Sequence, residues 1–234
     1  MADKSRRYDK MSRDELYELA QQREIEGRAE LSKEELVTAL EQEEAGPDAV
    51  QLLLRQHDEI RRLFGEFDAR SNRPSKKKEE IVRELITILV KHAEIEEQVF
   101  YPAVREELEG LDSEIDEDLE EHHAAELLLW ELDHLSSDAE RYDAKVTVLK
   151  ENISHHLEEE ESELFPEVEK QMSEERRREL GAAMETVWRV APTRPHPLTP
   201  DTPPGNVVAG IPGTVIDLTV GAVRGVKRLV RRGS

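Results

Sequence analysis

From residue 48 to about 190, apolar residues recur at three- and four-residue intervals almost without interruption, which is the period of amphipathic helices rather than strands. The pattern breaks near 71–75, 110–113 and 136–141, where glycine, serine, asparagine and aspartate collect. Helices are therefore predicted over 48–70, 77–107, 113–135 and 141–171, with a shorter one ending at Val190. Short connections between long helices favour antiparallel neighbours, so an all-α, up-down-up-down four-helix bundle is expected. Ahead of it, Ser12 with Glu15 and Ser32 with Glu35 form two capping boxes. Leu16, Leu19, Ile25, Leu36, Val37 and Leu40 complete a small two-helix module over 1–46, bounded by Gly46 and Pro47. The bundle then occupies 47–190. Residues 191–234 read as a proline-rich linker followed by a basic amphipathic tail carrying Arg224, Lys227, Arg228, Arg231 and Arg232.

Certain polar residues interrupt the apolar stripes. HAEIEEQVFYP from His92 and HLEEEESELFP from His156 form an internal repeat, each opening on histidine and closing on an aromatic-proline pair. His92 with Glu96, and His156 with Glu160, lie four residues apart and so share a helix face. Ile81, Leu85, Ile88 and Val99 line the face of the first pair, and Leu149, Ile153 and Leu164 that of the second, so both pairs point inward. His155 falls off its stripe. A weaker correspondence links QHDEIRRLF around His57 with EHHAAELLL around His122. His57 lies on a stripe with Val50, Leu53, Leu54, Ile60 and Phe64, and His122 with Leu119, Ala125, Leu129 and Leu132, whereas His123 shares its face with Glu120 and Trp130. Burying imidazoles and carboxylates costs heavily unless they are paired or metal-bound, and a cation is the obvious compensation. Glu97, Glu158 and Glu159 are expected on a charged outer face, and Asp58 diverges from its neighbour His57.

Composition narrows the chemistry. The chain has no cysteine, so any metal must be held by nitrogen and oxygen. A formal charge of -21 argues against a surface that grips phosphate backbones throughout. The first residues, MADKSRRYDKMSRDELYELA, lack the apolar core of a secretory signal, and no apolar run is long enough to span a bilayer, so a cytoplasmic protein is expected.

These motifs resemble the hemerythrin-like, or HHE cation-binding, family over roughly 51–190. The resemblance implies a four-helix bundle with a non-haem di-iron site, two iron ions bridged by oxo or hydroxo, and ligands at His57, His92, Glu96, His122, His156 and Glu160. Oxygen-carrying hemerythrins have a second histidine one turn after the helix-three ligand and an aspartate five residues after the helix-four histidine. Here those positions are Glu126, a seventh candidate ligand, and Glu161, a fallback bridge. Two octahedral irons offer about twelve positions, of which about two stay open, or about one if Glu126 binds. The implied small ligands are O2, peroxide or nitric oxide. Binding or sensing them is the leading reading; an enzyme that decomposes peroxide or reduces nitric oxide is the alternative. MSRDELYELAQQREIEGRAELSKEELVTAL resembles a SAP-like or Rho-N-terminal-like module, which implies a nucleic-acid or protein partner, with Arg23, Arg28 and Lys33 as phosphate contacts and iron as a switch. Glu30 stands where a basic residue is expected.

Overall fold

The computed structural model describes residues 8, 10–23, 25, 27–70 and 73–197. The basic tail expected at 214–232, and the linker beyond 197, lie outside the described residues. The chain forms two compact units, Met1–Pro47 and Asp48–Ser234.

In the first unit, helices α1 (Arg13–Gln22) and α2 (Lys33–Ala45) pack together. Ser12 accepts from the Glu15 amide while the Glu15 carboxylate accepts from the Ser12 amide at 2.7 Å, and Ser32 and Glu35 repeat the arrangement. Tyr8, Leu16, Ala20, Leu36 and Leu40 make its core. Arg13 donates to the carbonyls of Ala29 and Leu31, closing the turn between the helices. Arg28 donates to the Ile25 carbonyl at 3.0 Å and lies over the Tyr17 ring.

The second unit is built on α3 (Ala49–Asp68), α4 (Lys76–Ile95), α5 (Tyr101–Glu107), α6 (Asp112–Asp133), α7 (Tyr142–Glu159), α8 (Phe165–Gln171) and α9 (Glu174–Val190). Asp48, Ser75 and Ser173 cap α3, α4 and α9 through their side chains. Gly110, at φ +85°, turns the chain into α6. Around the bundle α3 packs on α4, α4 on α6, α6 on α7 and α7 back on α3, while α9 lies against α3 and α4. Arg177 of α9 donates to Asp48 at 2.7 Å and ties it to the start of α3.

The second and fourth rods are not continuous α-helices. Each contains one π-helical turn, Glu96–Phe100 and Glu160–Leu164. In each, an amide reaches back five residues, Tyr101 to the Glu96 carbonyl and Phe165 to the Glu160 carbonyl. The cause lies one residue on. Pro102 and Pro166 have no amide to donate, and in an α-helix their rings would strike the carbonyl four residues back; the wider turn relieves that clash.

The core of the bundle falls into two apolar clusters. One gathers Val50, Leu53, Ile95, Phe100, Leu164, Phe165, Leu180 and Met184. The other gathers Ile60, Phe64, Ile81, Leu85, Leu129, Val146 and Leu149. Buried among them are His57, His92, Glu96, His122, His156 and Glu160, each at most 7% exposed.

Candidate metal centre

The histidines form two pairs. The rings of His57 and His92 lie 5.0 Å apart, and those of His122 and His156 lie 4.8 Å apart with their Nε2 atoms at 3.1 Å. The carboxylates join the pairs crosswise. Glu96 Oε2 stands 3.4 Å from His92 Nε2 and 3.5 Å from His122 Nε2. Glu160 Oε2 stands 3.3 Å from His57 Nε2 and 3.6 Å from His156 Nε2. Each carboxylate thus sits between one member of each pair, the arrangement by which a carboxylate spans two cations.

Every histidine is also held from behind. His57 Nδ1 donates to Glu161 at 2.7 Å, His92 Nδ1 to Gln56 at 2.8 Å, His122 Nδ1 to Glu97 at 3.1 Å and His156 Nδ1 to Glu121 at 3.0 Å. A carboxylate or amide oxygen can only accept, so each Nδ1 carries a proton; the Nε2 atoms of His57 and His92 face the centre without a partner, while those of His122 and His156 share a hydrogen bond. These contacts obey an internal two-fold relation. Gln56-His57 on α3 corresponds to Glu121-His122 on α6, and Glu96-Glu97 to Glu160-Glu161. Tyr101 and Phe165 also match: Phe165 stacks on His57 and Tyr101 lies against His122. The relation breaks at the Tyr101 hydroxyl, which donates to Glu160 Oε1 at 3.0 Å, and at Asp118, whose Oδ1 lies 3.5 Å from His156 where α3 has the apolar Leu53.

Burial opposes charge on all these groups. It holds His92 well below the usual histidine range, with His57 adding to the effect, and takes His122 down to about 4, with His156 adding to it. It lifts Glu96 well above the usual carboxylate range, with Glu160 adding to it. His156 and Glu160 escape as a pair. Burial acts against both, yet each charge stabilises the other, leaving His156 protonated up to about 10 and Glu160 ionised well below the carboxylate range.

The residues fit a metal. His57 Nε2, His92 Nε2, both oxygens of Glu96 and Glu160 Oε2 are buried without a hydrogen-bond partner. An unsatisfied buried polar atom costs about 1–3 kcal/mol, and cations at one locus would satisfy them all. Ligand atoms of His57, His92, Glu96 and Glu160 lie within 4.8 Å of one another, as do those of Glu96, His122 and His156. Six of the seven residues expected from the sequence therefore come together. Glu126 does not join them; its carboxylate accepts from the His196 amide at 2.6 Å. Glu161 orients His57 and also accepts from Arg61 at 2.8 Å. Asp58 is 84% exposed by side chain, and His155 63%.

Sequence reasoning missed the orienting residues Gln56, Glu97 and Glu121, the carboxylate Asp118 and the donor Tyr101. The signal for three of them was present: Gln56, Glu97 and Glu121 each flank one of the six converging residues in one of the two repeats. Glu97, expected on the outer face, is only 12% exposed by side chain.

Residues 48–168 match the family model described as Hemerythrin HHE cation binding domain. The chain is 30% identical over 130 residues to an uncharacterized hemerythrin-like protein of Schizosaccharomyces pombe, covering 55% of this chain and 64% of that one. Its fold resembles the crystal structure of a hemerythrin HHE cation binding domain-containing protein from Mycobacterium kansasii, with a TM-score of 0.53 and 22% identity over 61% of this chain and 86% of that one. The family match begins at residue 48 and lends no support to the SAP-like resemblance of the first unit. No helix among the described residues is long and apolar enough to cross a membrane. The match takes in more than half of the chain and all six converging residues, and the chain belongs to the hemerythrin HHE cation-binding family.

Proposed function

We propose that the bundle holds a non-haem di-iron centre that binds or senses O2, peroxide or nitric oxide. His57 and His92 would hold one iron, His122 and His156 the other, and Glu96 and Glu160 would bridge them. The observation that carries this reading is the crosswise placement of the two carboxylates between the two histidine pairs. Histidine and carboxylate donors without thiolate suit iron. A bound di-iron pair would supply redox chemistry and open positions for a small ligand. The protein's own contribution is to fix the imidazoles from behind, to keep the surroundings dry, and to hold a proton on the Tyr101 hydroxyl next to Glu160. Burial and the nearby Glu160 carboxylate raise the Tyr101 pKa well above the usual phenol range, so this oxygen stays a donor.

The test is elemental analysis of protein grown in iron-replete medium, with an optical spectrum before and after peroxide. About two irons per chain and a near-ultraviolet charge-transfer band are expected, with both lost in His92→Ala and His156→Ala. Protein that carries no iron would refute the proposal. Turnover separates a binder from an enzyme: peroxide consumed well beyond one equivalent would favour the enzyme.

A further inference from the structure

The run HHLEEE contains two copies of the His-x-x-x-Glu spacing, one residue apart. His156 and Glu160 point into the bundle. The other copy lies at the surface, His155 exposed and Glu159 half-buried, with His155 Nε2 3.4 Å from Glu159 Oε1. Glu121, crossing from α6, brings its carboxylate to them, so that ligand atoms of Glu121, His155 and Glu159 lie within 4.8 Å of one another.

That outer cluster does not stand alone. Asp118, Glu121 and His156 form a second group with the same spacing, and Glu96, His122 and His156 a third. Successive groups share a residue, first Glu121 and then His156, and together they run from the surface to the buried centre. Asp118 is 3% exposed, and its Oδ2 has no hydrogen-bond partner. A cavity of about 410 Å³ opens beside these groups, with Glu121, His122, Ala124, Glu151, His155 and His156 among its lining residues.

The internal two-fold relation provides a comparison. On the opposite face the residues matching Asp118, Glu121, His155 and Glu159 are Leu53, Gln56, Lys91 and Ile95, a set with no carboxylate or imidazole. There the Lys91 ammonium lies 4.6 Å from the centre of the Trp188 ring, on α9. A cation approaching that face meets a positive charge and an indole. The ligand-bearing steps are confined to the α6–α7 face.

We propose that Glu121, His155 and Glu159 form a surface loading site for divalent cations, which pass by way of Glu121 and Asp118 to the buried centre. The inference rests on that centre being a metal site. Its physical basis is the cost of moving a bare ion into a dry interior: a succession of carboxylates and imidazoles lets hydration water be exchanged in stages. The cluster also concentrates cations at the mouth of the cavity.

Protein stripped by chelation is mixed anaerobically with Fe(II), and retained metal is followed against time. His155→Ala/Glu159→Gln alters side chains outside the buried centre, and Ala124→Phe fills the cavity without replacing a candidate ligand. Both variants are expected to load about tenfold more slowly than the wild type, to the same final metal content and spectrum, while Lys91→Ala loads at the wild-type rate. Loading of the first two at the wild-type rate would overturn the inference and leave the centre intact. A reduced final content would also overturn it, by making these residues part of the centre itself. Wild-type protein that takes up no metal would remove both this inference and the reading on which it rests.

Discussion

Glu96 shows how the site trades stability for binding. Burial, reinforced by Glu160, raises its pKa well above that of an unfolded glutamate. Because the folded value is the higher one, burying Glu96 costs nothing below the unfolded pKa and weakens the metal-free fold increasingly as pH rises above it, so the cost is present at neutral pH and acidification toward the unfolded value relieves it. Glu96→Gln keeps the shape and removes the charge. In thermal melts the metal-free variant should exceed the metal-free wild type by about 1–3 kcal/mol, the scale of an uncompensated buried polar group, and added metal should stabilise it far less. A metal-free variant less stable than the wild type would contradict this account. The inward direction of this carboxylate was readable because it shares a stripe with Ile81, Ile88 and Val99. The residues that brace the histidines carry no such periodic mark. Gln56, Glu97 and Glu121 sit one position off a ligand, about 100° around the helix, where a carboxylate that braces an imidazole and one that only meets water have the same periodicity. Glu126 shows the converse: its offset from His122 placed it near the site, but its oxygen is engaged by His196.

The helices themselves add what no single side chain supplies. Four rods and their connections followed from the apolar period, whereas a one-residue π insertion barely disturbs that period and passed unseen. The repeated aromatic-proline pair was its visible trace. Each π turn begins at a buried glutamate and ends beside an aromatic ring that packs on a histidine, so the widened turn sets the relation between them. Replacing both prolines, Pro102→Ala/Pro166→Ala, restores the missing amides and allows each turn to tighten into α-helix. Metal affinity measured by competition with a chelator should fall by about tenfold, the loss typical when the residues orienting metal ligands shift, with helix content by circular dichroism unchanged. Unaltered affinity would show that packing alone holds the turns. In the first unit the capping boxes decide helix starts. Backbone and side-chain hydrogen bonds from Ser12 and Ser32 lower the pKa values of Glu15 and Glu35. A lowered folded value means stability present above the unfolded pKa and lost as pH falls through the folded one. Protection of the α1 and α2 amides, taken relative to the intrinsic exchange rate at each pH, should therefore fall on acidification below about pH 4.5, and Glu15→Gln/Glu35→Gln should remove that dependence.

Across the whole molecule, the second unit concentrates its chemistry in one polar layer within an apolar bundle, covered by α9 on one face and open between α6 and α7 on another. The internal two-fold relation explains why two histidine pairs and two carboxylates arise from repeated sequence. Its departures at Tyr101, Asp118 and His155 make the two halves chemically unequal. The central claim is that Glu96 and Glu160 each span two cations held by separate histidine pairs. Anomalous diffraction from crystals of the iron-loaded protein tests it directly. Two metal peaks about 3.5–4 Å apart, one beside His57 and His92 and the other beside His122 and His156, with both glutamates between them, are predicted. A single peak, or metal bound only outside the bundle, would contradict it.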